Sequence, residues 1–264
     1  MLHSLVPNIR GLILDMDGVL WRGDQEIGNL KETFSIIDNL KLKYVFATNN
    51  SSKSQIQYTE KLKQYGLDIN PDNIVSSTLA TSKLIKDEFP NGTSVYLIGE
   101  DGAKYTLEKE GLFITEDSPK VVVVGIDRDL TYDKLMKATT FIRNGARFFG
   151  TNPDYTYPLP EGQAPGAGSI IASLKTSTSI EPIIAGKPSP LMMNIALERM
   201  NLSPDEVLVV GDRYETDIMG GKNAHCKTAL VLSGVGSAEE IDTWDIKPDL
   251  VLPELRNLFE SKSK

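Results

Sequence analysis

The chain has a single cysteine, Cys226, among its 264 residues. One cysteine excludes an intramolecular disulfide, a redox pair and a metal site built from several cysteines. We interpret Cys226 as a small packed apolar residue in the segment before a strand. Residues 1–10 lack a basic segment followed by a long apolar stretch, so no secretory signal is expected. These absences favour a cytoplasmic location.

Long apolar runs and an excess of positive charge are also missing. No run approaches the roughly 20 residues that a membrane-spanning helix needs. Lysine and arginine number 28 against 36 aspartates and glutamates, which gives a formal net charge of -8. That balance argues against nucleic acid or an anionic membrane as a general partner. A small anionic ligand would therefore need positive charge placed locally at its site.

What the chain does contain is a regular alternation of short β-rich runs and amphipathic stretches, which is typical of parallel α/β sheets. Strands are predicted at 11–14, 44–47, 95–98, 121–124, 147–149, 182–185, 207–210 and 228–232. Helices are predicted at 30–42, 54–65, 103–109, 132–144, 168–175, 190–200 and 216–223. A middle set beginning near residue 79 indicates an α/β layer of its own, and the set from 182 returns to the first pattern.

The first predicted strand ends in Asp15-Met16-Asp17-Gly18, which places two carboxylates where a buried strand meets a loop. Parallel α/β sheets bind their ligands outside the carboxyl ends of their strands. We therefore expect Asp15 and Asp17 to carry chemistry. Gly18 would let the backbone turn sharply beside them.

Three further polar loops follow strands in the same way. They are Thr48-Asn49-Asn50-Ser51, Gly186-Lys187-Pro188 and the run from Gly211-Asp212 to Asp217. Taken singly, each has a plain structural interpretation as a helix cap, a turn or a loop after a strand. All of them together, in this order, are specific.

Phosphate monoester hydrolysis would explain these residue types. A carboxylate attacking an anionic ester needs a cation to offset repulsion, and Mg²⁺ prefers oxygen ligands such as Asp15, Asp212 and one backbone carbonyl. Asp15 would attack phosphorus and form an aspartyl-phosphate. Asp17 would protonate the leaving oxygen and later take a proton from water.

The same chemistry predicts roles for residues in the other polar loops. Thr48 and the amides of Asn49 and Asn50, near a helix start, would hold the phosphoryl oxygens. Lys187 would add a positive point charge against the developing negative charge.

The motifs DMDGVL, TNNSS, GKPSP and GDRYETD closely resemble, in order, the four motifs of the haloacid dehalogenase (HAD) superfamily, over essentially the whole chain. The GVL and TNN variants, with TNPD at 151–154 and PGAGS at 165–169, are similar to the NagD-like branch, subfamily IIA. That branch includes nitrophenyl, phosphoglycolate, pyridoxal phosphate and nucleotide phosphatases. The resemblance thus implies a phosphatase of small phosphorylated metabolites.

The resemblance also implies a fold and residue roles. The fold would be a Rossmann-like α/β core formed by residues 1–78 and 187–264, with a large α/β cap at 79–186. By the family's roles Asp15 is the nucleophile and Asp17 the acid/base, and Asp15, Asp17 through its carbonyl, and Asp212 bind Mg²⁺. Asp217 would orient Lys187 or a water on the metal. A homodimer through the cap is a further expectation.

Tyr157 aligns with a cap position that carries a substrate-touching histidine in pyridoxal phosphate phosphatases. It would either contact the leaving group or pack the cap against itself, and we give the two interpretations equal weight. The missing histidine argues against pyridoxal phosphate as the main substrate. Two alternatives remain for the function of the whole chain. A phosphate-ester sensor with little turnover is disfavoured by the intact Asp15 and Asp17. A phosphoreceiver domain is disfavoured by the second aspartate, Asp17, two residues after Asp15, and by the large insert.

Overall fold

The computed structural model describes residues 6–159, 162–237, 239 and 241–260. Its strands are β1 (Gly11–Leu14), β2 (Trp21–Arg22), β3 (Gln25–Glu26), β4 (Lys43–Thr48), β5 (Ile74–Ser76), β6 (Ser94–Ile98), β7 (Phe113–Ile114), β8 (Val121–Val124), β9 (Arg147–Gly150), β10 (Thr156–Leu159), β11 (Gly162–Pro165), β12 (Ile183–Ile184), β13 (Val207–Gly211), β14 (Lys227–Val231) and β15 (Leu250–Leu252).

The α-helices are α1 (Leu30–Asn39), α2 (Gln55–Gln64), α3 (Ser77–Glu88), α4 (Asp101–Lys109), α5 (Tyr132–Arg143), α6 (Ala167–Thr178), α7 (Leu191–Met200) and α8 (Met219–Asn223). Short 3₁₀ turns lie at Pro71–Asn73, Pro204–Glu206, Ile241–Thr243 and Leu255–Phe259, and Tyr214–Ile218 forms a π-helical turn. Within the described ranges, no helix has the length and apolar character that crossing a membrane requires.

The chain divides into two compact units. The first comprises Met1–Thr48, Thr59–Val75 and Lys187–Lys264, and the second Asn49–Tyr58 and Ser76–Gly186. The domain boundaries inferred from sequence, after residues 78 and 186, stay a prediction.

The first unit is built on a six-stranded sheet in the order β15-β14-β13-β1-β4-β5. β1 lies between β13 and β4 and runs parallel to both, with Leu14 opposite Val210 on one side and Phe46 on the other. All four residues of β1 are buried. A central parallel strand is covered on both faces, which explains why the run is apolar throughout rather than alternating.

Helix α1 shows how the sequence covers this sheet. Its buried residues recur at helical spacing, with Leu30, Phe34 and Ile37 on one face. The Asn29 side chain accepts a hydrogen bond from the Glu32 N–H at 3.0 Å and so caps the helix start. The Phe34 ring packs edge-on to that of Tyr44 on β4, with centroids 5.1 Å apart.

The second unit has a five-stranded sheet in the order β12-β9-β8-β6-β7, in which every neighbouring pair is parallel. The four consecutive valines of β8 are all buried and face alternate sides. Val122 and Val124 join the apolar residues of α5 and α6, whereas Val121 and Val123 join those of α3 and α4. This unit is therefore a three-layer α/β sandwich.

The structure confirms the predicted α/β class with a parallel central sheet. The interpretation of Gly166 and Gly168 as a helix start is also confirmed, because Gly166 caps α6. The helix predicted at 216–223 instead begins as the π-helical turn Tyr214–Ile218 and continues as α8. Sequence reasoning did not predict α3 or the hairpins β2-β3 and β10-β11.

Asp249, directly before the edge strand β15, allows a test of how its hydrogen bonds stabilise that edge of the sheet. Its carboxylate accepts hydrogen bonds from Lys222 Nζ (2.6 Å), Lys227 Nζ (2.9 Å) and the Thr228 N–H (2.9 Å). Burial alone would raise its pKa, but these hydrogen bonds lower the pKa of Asp249 to about 2. Since an unfolded aspartate titrates near pH 4, this stabilisation is complete above about pH 4 and is lost as the pH falls towards 2.

We expect Asp249→Asn to lower the free energy of unfolding by about 1 kcal/mol at pH 7. Urea unfolding followed by circular dichroism should show this difference shrinking at pH 3. The exposed Asp245→Asn is the matched control and should change little at either pH. An Asp249→Asn deficit that is equally large at pH 7 and pH 3 would contradict the assignment.

Candidate active site

Three polar residues lie at the carboxyl ends of neighbouring strands in the first unit. Asp15 follows β1, Thr48 is the last residue of β4, and Asp212 follows β13. The Asp15 N–H donates to the Val210 carbonyl of β13 at 2.9 Å, so the sheet pairing continues into the loop. Because parallel strands present their carboxyl ends at one edge, the sheet itself gathers these residues.

Lys187 joins this edge through its ammonium group. Its Nζ donates to Asp15 Oδ1 and Asp217 Oδ1, each at 2.6 Å, and to the Ala47 carbonyl at 2.9 Å. Lys187 is only 2% exposed. An ammonium has three N–H donors, and each of them has an acceptor here. A buried cation thus lies between two carboxylates and the end of β4.

The electrostatics of this cluster are dominated by burial and by crowding of negative charge. Burial alone would lower the pKa of Lys187, but the carboxylates of Asp15 and Asp217 raise it above its usual range. Burial, together with Asp217 and Asp212, raises the pKa of Asp15 despite the opposing charge of Lys187. Burial and Asp217 likewise raise the pKa of Asp212 to about 6. One ammonium therefore does not balance the three carboxylates.

These three carboxylates form an acidic cluster. Asp15, Asp212 and Asp217 each offer an oxygen that lies within 4.8 Å of the other two. Such a set of oxygen donors, in excess of the local positive charge, has the composition of a hard-cation site. The residues present could therefore hold a divalent metal ion.

Asp217 differs from the other two carboxylates in its partners. Its Oδ1 accepts from Lys187, and its Oδ2 accepts from the Arg213 N–H at 3.1 Å. The π-helical turn Tyr214–Ile218 turns the side chain back towards the strand end. Both oxygens are thus engaged, which fits the predicted role of Asp217 in orienting Lys187.

The loop after β14 is a part of the site that sequence reasoning missed. The Val235 N–H donates to Asp212 Oδ2 at 2.9 Å, and Ser233 Oγ donates to the Gly18 carbonyl at 2.7 Å. A Cβ added at Gly234 would overlap the Asp212 carboxylate, so only glycine allows this close approach. The sequence signal that could have identified this loop is its place directly after β14, a strand of the same sheet.

Asp17 lies in a tight turn directly after Asp15. Gly18 adopts φ +87°, in the left-handed region that glycine favours, as the predicted sharp turn requires. The Asp17 side chain is exposed, and its Oδ1 accepts a hydrogen bond from Trp21 Nε1 at 2.8 Å. This hydrogen bond fixes the orientation of the Asp17 carboxyl group relative to Trp21.

The predicted phosphate ligands Asn49 and Asn50 belong to the second unit. The Asn49 amide donates to both Asp154 oxygens at 3.2 and 3.3 Å, and its carbonyl accepts from Ser77 Oγ at 2.7 Å. Asn50 Oδ1 accepts from the N–H and hydroxyl of Ser52. The Asn49 side chain thus ties the loop to Asp154, the Asn50 side chain holds the loop itself, and the role of their backbone amides stays a prediction.

Tyr157 contacts an arginine of its own unit. Its hydroxyl accepts from Arg128 Nε at 3.2 Å, and the guanidinium carbon lies 5.4 Å from the ring centroid. Arg128 is also paired with Glu100 at 2.8 Å. These contacts fit the packing interpretation, and a contact with the leaving group stays a prediction.

Comparison with known proteins agrees with this arrangement. The family model for haloacid dehalogenase-like hydrolases matches residues 12–113, and a second HAD-like hydrolase model matches 184–258. The acid sugar phosphatase of Staphylococcus epidermidis is 40% identical over 251 residues, 95% of this chain and 96% of that protein. The 4-nitrophenylphosphatase of Thermotoga maritima superposes with a TM-score of 0.93 at 35% identity, covering 98% of this chain and 99% of the other.

Two further solved structures are similar. NagD of E. coli K-12 has a TM-score of 0.86 at 32% identity, covering 94% of this chain and 97% of its own. The glycerol phosphate phosphatase Rv1692 of Mycobacterium tuberculosis, solved in complex with magnesium, has a TM-score of 0.90 at 30% identity, covering 98% and 78% respectively.

The fold and the acidic strand-end cluster define the chain as a hydrolase. It belongs to the haloacid dehalogenase-like hydrolases, in the NagD-like branch, whose relatives named above are phosphatases. The family resemblance and the enzyme class predicted from the sequence motifs are therefore confirmed.

Lys187→Met should reveal the energetic weight of the buried ammonium. It leaves the buried Asp217 and the mostly buried Asp15 without their cation, which should cost about 3 kcal/mol of unfolding free energy at pH 7. Urea unfolding in chelator-treated buffer measures this. The matched control is Lys227→Met, which removes a half-exposed ion pair and should cost less than about 1 kcal/mol. Equal costs for the two variants would contradict the central place of Lys187.

Proposed function

We propose that this chain hydrolyses small phosphomonoesters through an aspartyl-phosphate formed on Asp15. The observation that carries the proposal is the strand-end cluster, in which Lys187 bridges Asp15 and Asp217 beside Asp212. A carboxylate nucleophile at a strand end, with a fixed ammonium and further carboxylates, suits an anionic phosphoryl group better than a neutral substrate.

Mg²⁺ is the metal that this donor set fits. Asp15 Oδ1 and Asp212 Oδ2 accept hydrogen bonds, while the second oxygen of each has no donor among the residues that the structure describes. Asp15, Asp212 and the Asp17 carbonyl would hold the ion, whereas Asp217 is engaged by Lys187 and the Arg213 N–H. When bound, Mg²⁺ would offset the charge between nucleophile and ester and polarise a phosphoryl oxygen.

The reaction then proceeds on side chains of this chain. Asp15 attacks phosphorus through one carboxylate oxygen while the hydrogen bond from Lys187 to Oδ1 fixes the carboxylate, so the nucleophile meets the ester in a fixed direction. Asp17 gives its proton to the oxygen of the departing group as the ester bond breaks. It later takes a proton from the water that releases phosphate from Asp15.

The phosphoryl oxygens need donors besides the nucleophile's partners. Thr48, the last residue of β4, and the amides of Asn49 and Asn50 that follow it would supply them. Lys187 lies close enough to Asp15 to stabilise charge that develops on the transferring group.

For the substrate, the named relatives favour sugar phosphates, glycerol phosphate and nitrophenyl phosphate. Phosphoglycolate and nucleoside monophosphates stay within the predicted panel. A cytoplasmic location, which the sequence favours, and a homodimer through the 79–186 segment, which the family resemblance implies, are further parts of the proposal.

The direct test is phosphate release from nitrophenyl phosphate and this metabolite panel. With Mg²⁺ we expect turnover, and with chelator a loss that added Mg²⁺ restores. Asp15→Asn should lower kcat by at least about 1000-fold because it removes the nucleophile.

Asp245→Asn is a matched control, since this exposed carboxylate lies outside the strand-end cluster and its loss should leave turnover unchanged. Native protein that binds these esters tightly without releasing phosphate would replace the proposal with the sensor alternative. Equal activity of the native chain and Asp15→Asn would refute the aspartyl-phosphate route.

A further inference from the structure

Trp21 is the sole side-chain hydrogen-bond partner of Asp17 among the described residues. Its indole Nε1 donates to Asp17 Oδ1 at 2.8 Å. Trp21 is 1% exposed, whereas Asp17 is exposed. An exposed aspartate otherwise moves among staggered rotamers, so this one bond selects the orientation of the carboxyl group.

The indole is itself held from the end of α2. Its ring stacks on Tyr65 with centroids 5.7 Å apart and an interplanar angle of 23°. The Lys61 ammonium lies 4.4 Å from the Trp21 ring centroid and donates to the Gly23 carbonyl at 2.8 Å. The Tyr65 hydroxyl donates to the Asp24 carbonyl at 3.0 Å. The N–H donor therefore has a fixed place on the β2-β3 hairpin.

We propose that Trp21 is a positioning residue that orients Asp17 for proton transfer, an inference that rests on the proposed function. Because the indole N–H occupies Oδ1, Oδ2 is the Asp17 oxygen left to exchange a proton with the reactants. As Asp15 bonds to phosphorus and the ester P–O bond breaks, that proton passes to the leaving oxygen. Asp17 Oδ2 then takes a proton from the water whose oxygen bonds to phosphorus as the bond to Asp15 breaks.

Leaving-group dependence separates this role from mere packing. Phenoxide needs a proton from the enzyme as it departs, whereas nitrophenolate is a far weaker base and needs little help. Phenyl phosphate and 4-nitrophenyl phosphate share one ring, so their recognition is closely matched. Loss of a well-oriented acid should therefore slow the phenyl ester selectively.

Trp21→Phe keeps an aromatic ring and removes the N–H. We expect kcat/KM for phenyl phosphate to fall about 10-fold or more, the value for 4-nitrophenyl phosphate to fall less than about 3-fold, and both KM values to stay nearly constant. Trp244→Phe is the matched control, because Trp244 stacks on Tyr214 with centroids 4.2 Å apart and should leave the ratio unchanged. Asp17→Asn sets the scale of the selective loss.

If Trp21 only packs, Trp21→Phe would lower kcat/KM equally for both substrates or raise KM. Either result overturns the inference. If Asp17→Asn shows the selective loss and Trp21→Phe does not, the inference fails while the proposed function stands. If Asp17→Asn shows no selectivity, the acid role assigned to Asp17 in the proposed function fails. Should Trp21→Phe not fold, benzothienylalanine at position 21 replaces only the N–H by sulfur and is read in the same way.

Discussion

The buried ammonium of Lys187 is the interaction on which the rest of the site depends. Carboxylates at the end of a buried parallel strand lose most of their hydration, and their mutual repulsion adds to that cost. Lys187 offsets it by donating to Asp15, Asp217 and the end of β4 at the same time. Breaking such a contact leaves uncompensated charge in the interior, which is far costlier than losing a surface ion pair.

The carboxylates around Lys187 also differ in how many of their oxygens are already hydrogen-bonded. Asp217 uses both oxygens to hold Lys187 and the loop, which fits the positioning role proposed for it. Asp15 and Asp212 each keep one oxygen without a donor among the described residues, which suits them to attack and to a metal ion. Asp17 lies outside this balance, with its carboxyl held instead by the neutral Trp21 N–H. The four aspartates thus differ in their hydrogen-bond partners, and these differences match the separate roles proposed for them.

Much of this arrangement follows from sequence because strand ends are predictable. Asp15 and Asp212 each follow an apolar run that can only be a buried strand, and parallel strands bring their carboxyl ends together. Lys187 was identified by a motif whose order along the chain was specific. A charged residue directly after a buried apolar strand is easy to recognise in the sequence, because burying a charge there is costly.

The parts of the site that the sequence did not reveal are formed by backbone groups and close backbone contacts rather than by charged side chains. The loop at Ser233–Gly236 carries no ionisable group, and its role comes from the Val235 N–H and the space left by Gly234. The bond between Trp21 and Asp17 required the turn at Gly18 and a hairpin of two-residue strands too short to show a periodic pattern. The π-helical turn at Tyr214–Ile218 adds backbone irregularity that a helical pattern cannot show.

The most direct test of the account is to trap the covalent intermediate on Asp15. The enzyme would be quenched during turnover of nitrophenyl phosphate, treated with borohydride to reduce an acyl phosphate, and digested for peptide mass spectrometry. We predict homoserine at position 15 in the native chain and none in Asp15→Asn. Reduction at another carboxylate, or none at all during measured turnover, would contradict the role of Asp15 as the nucleophile.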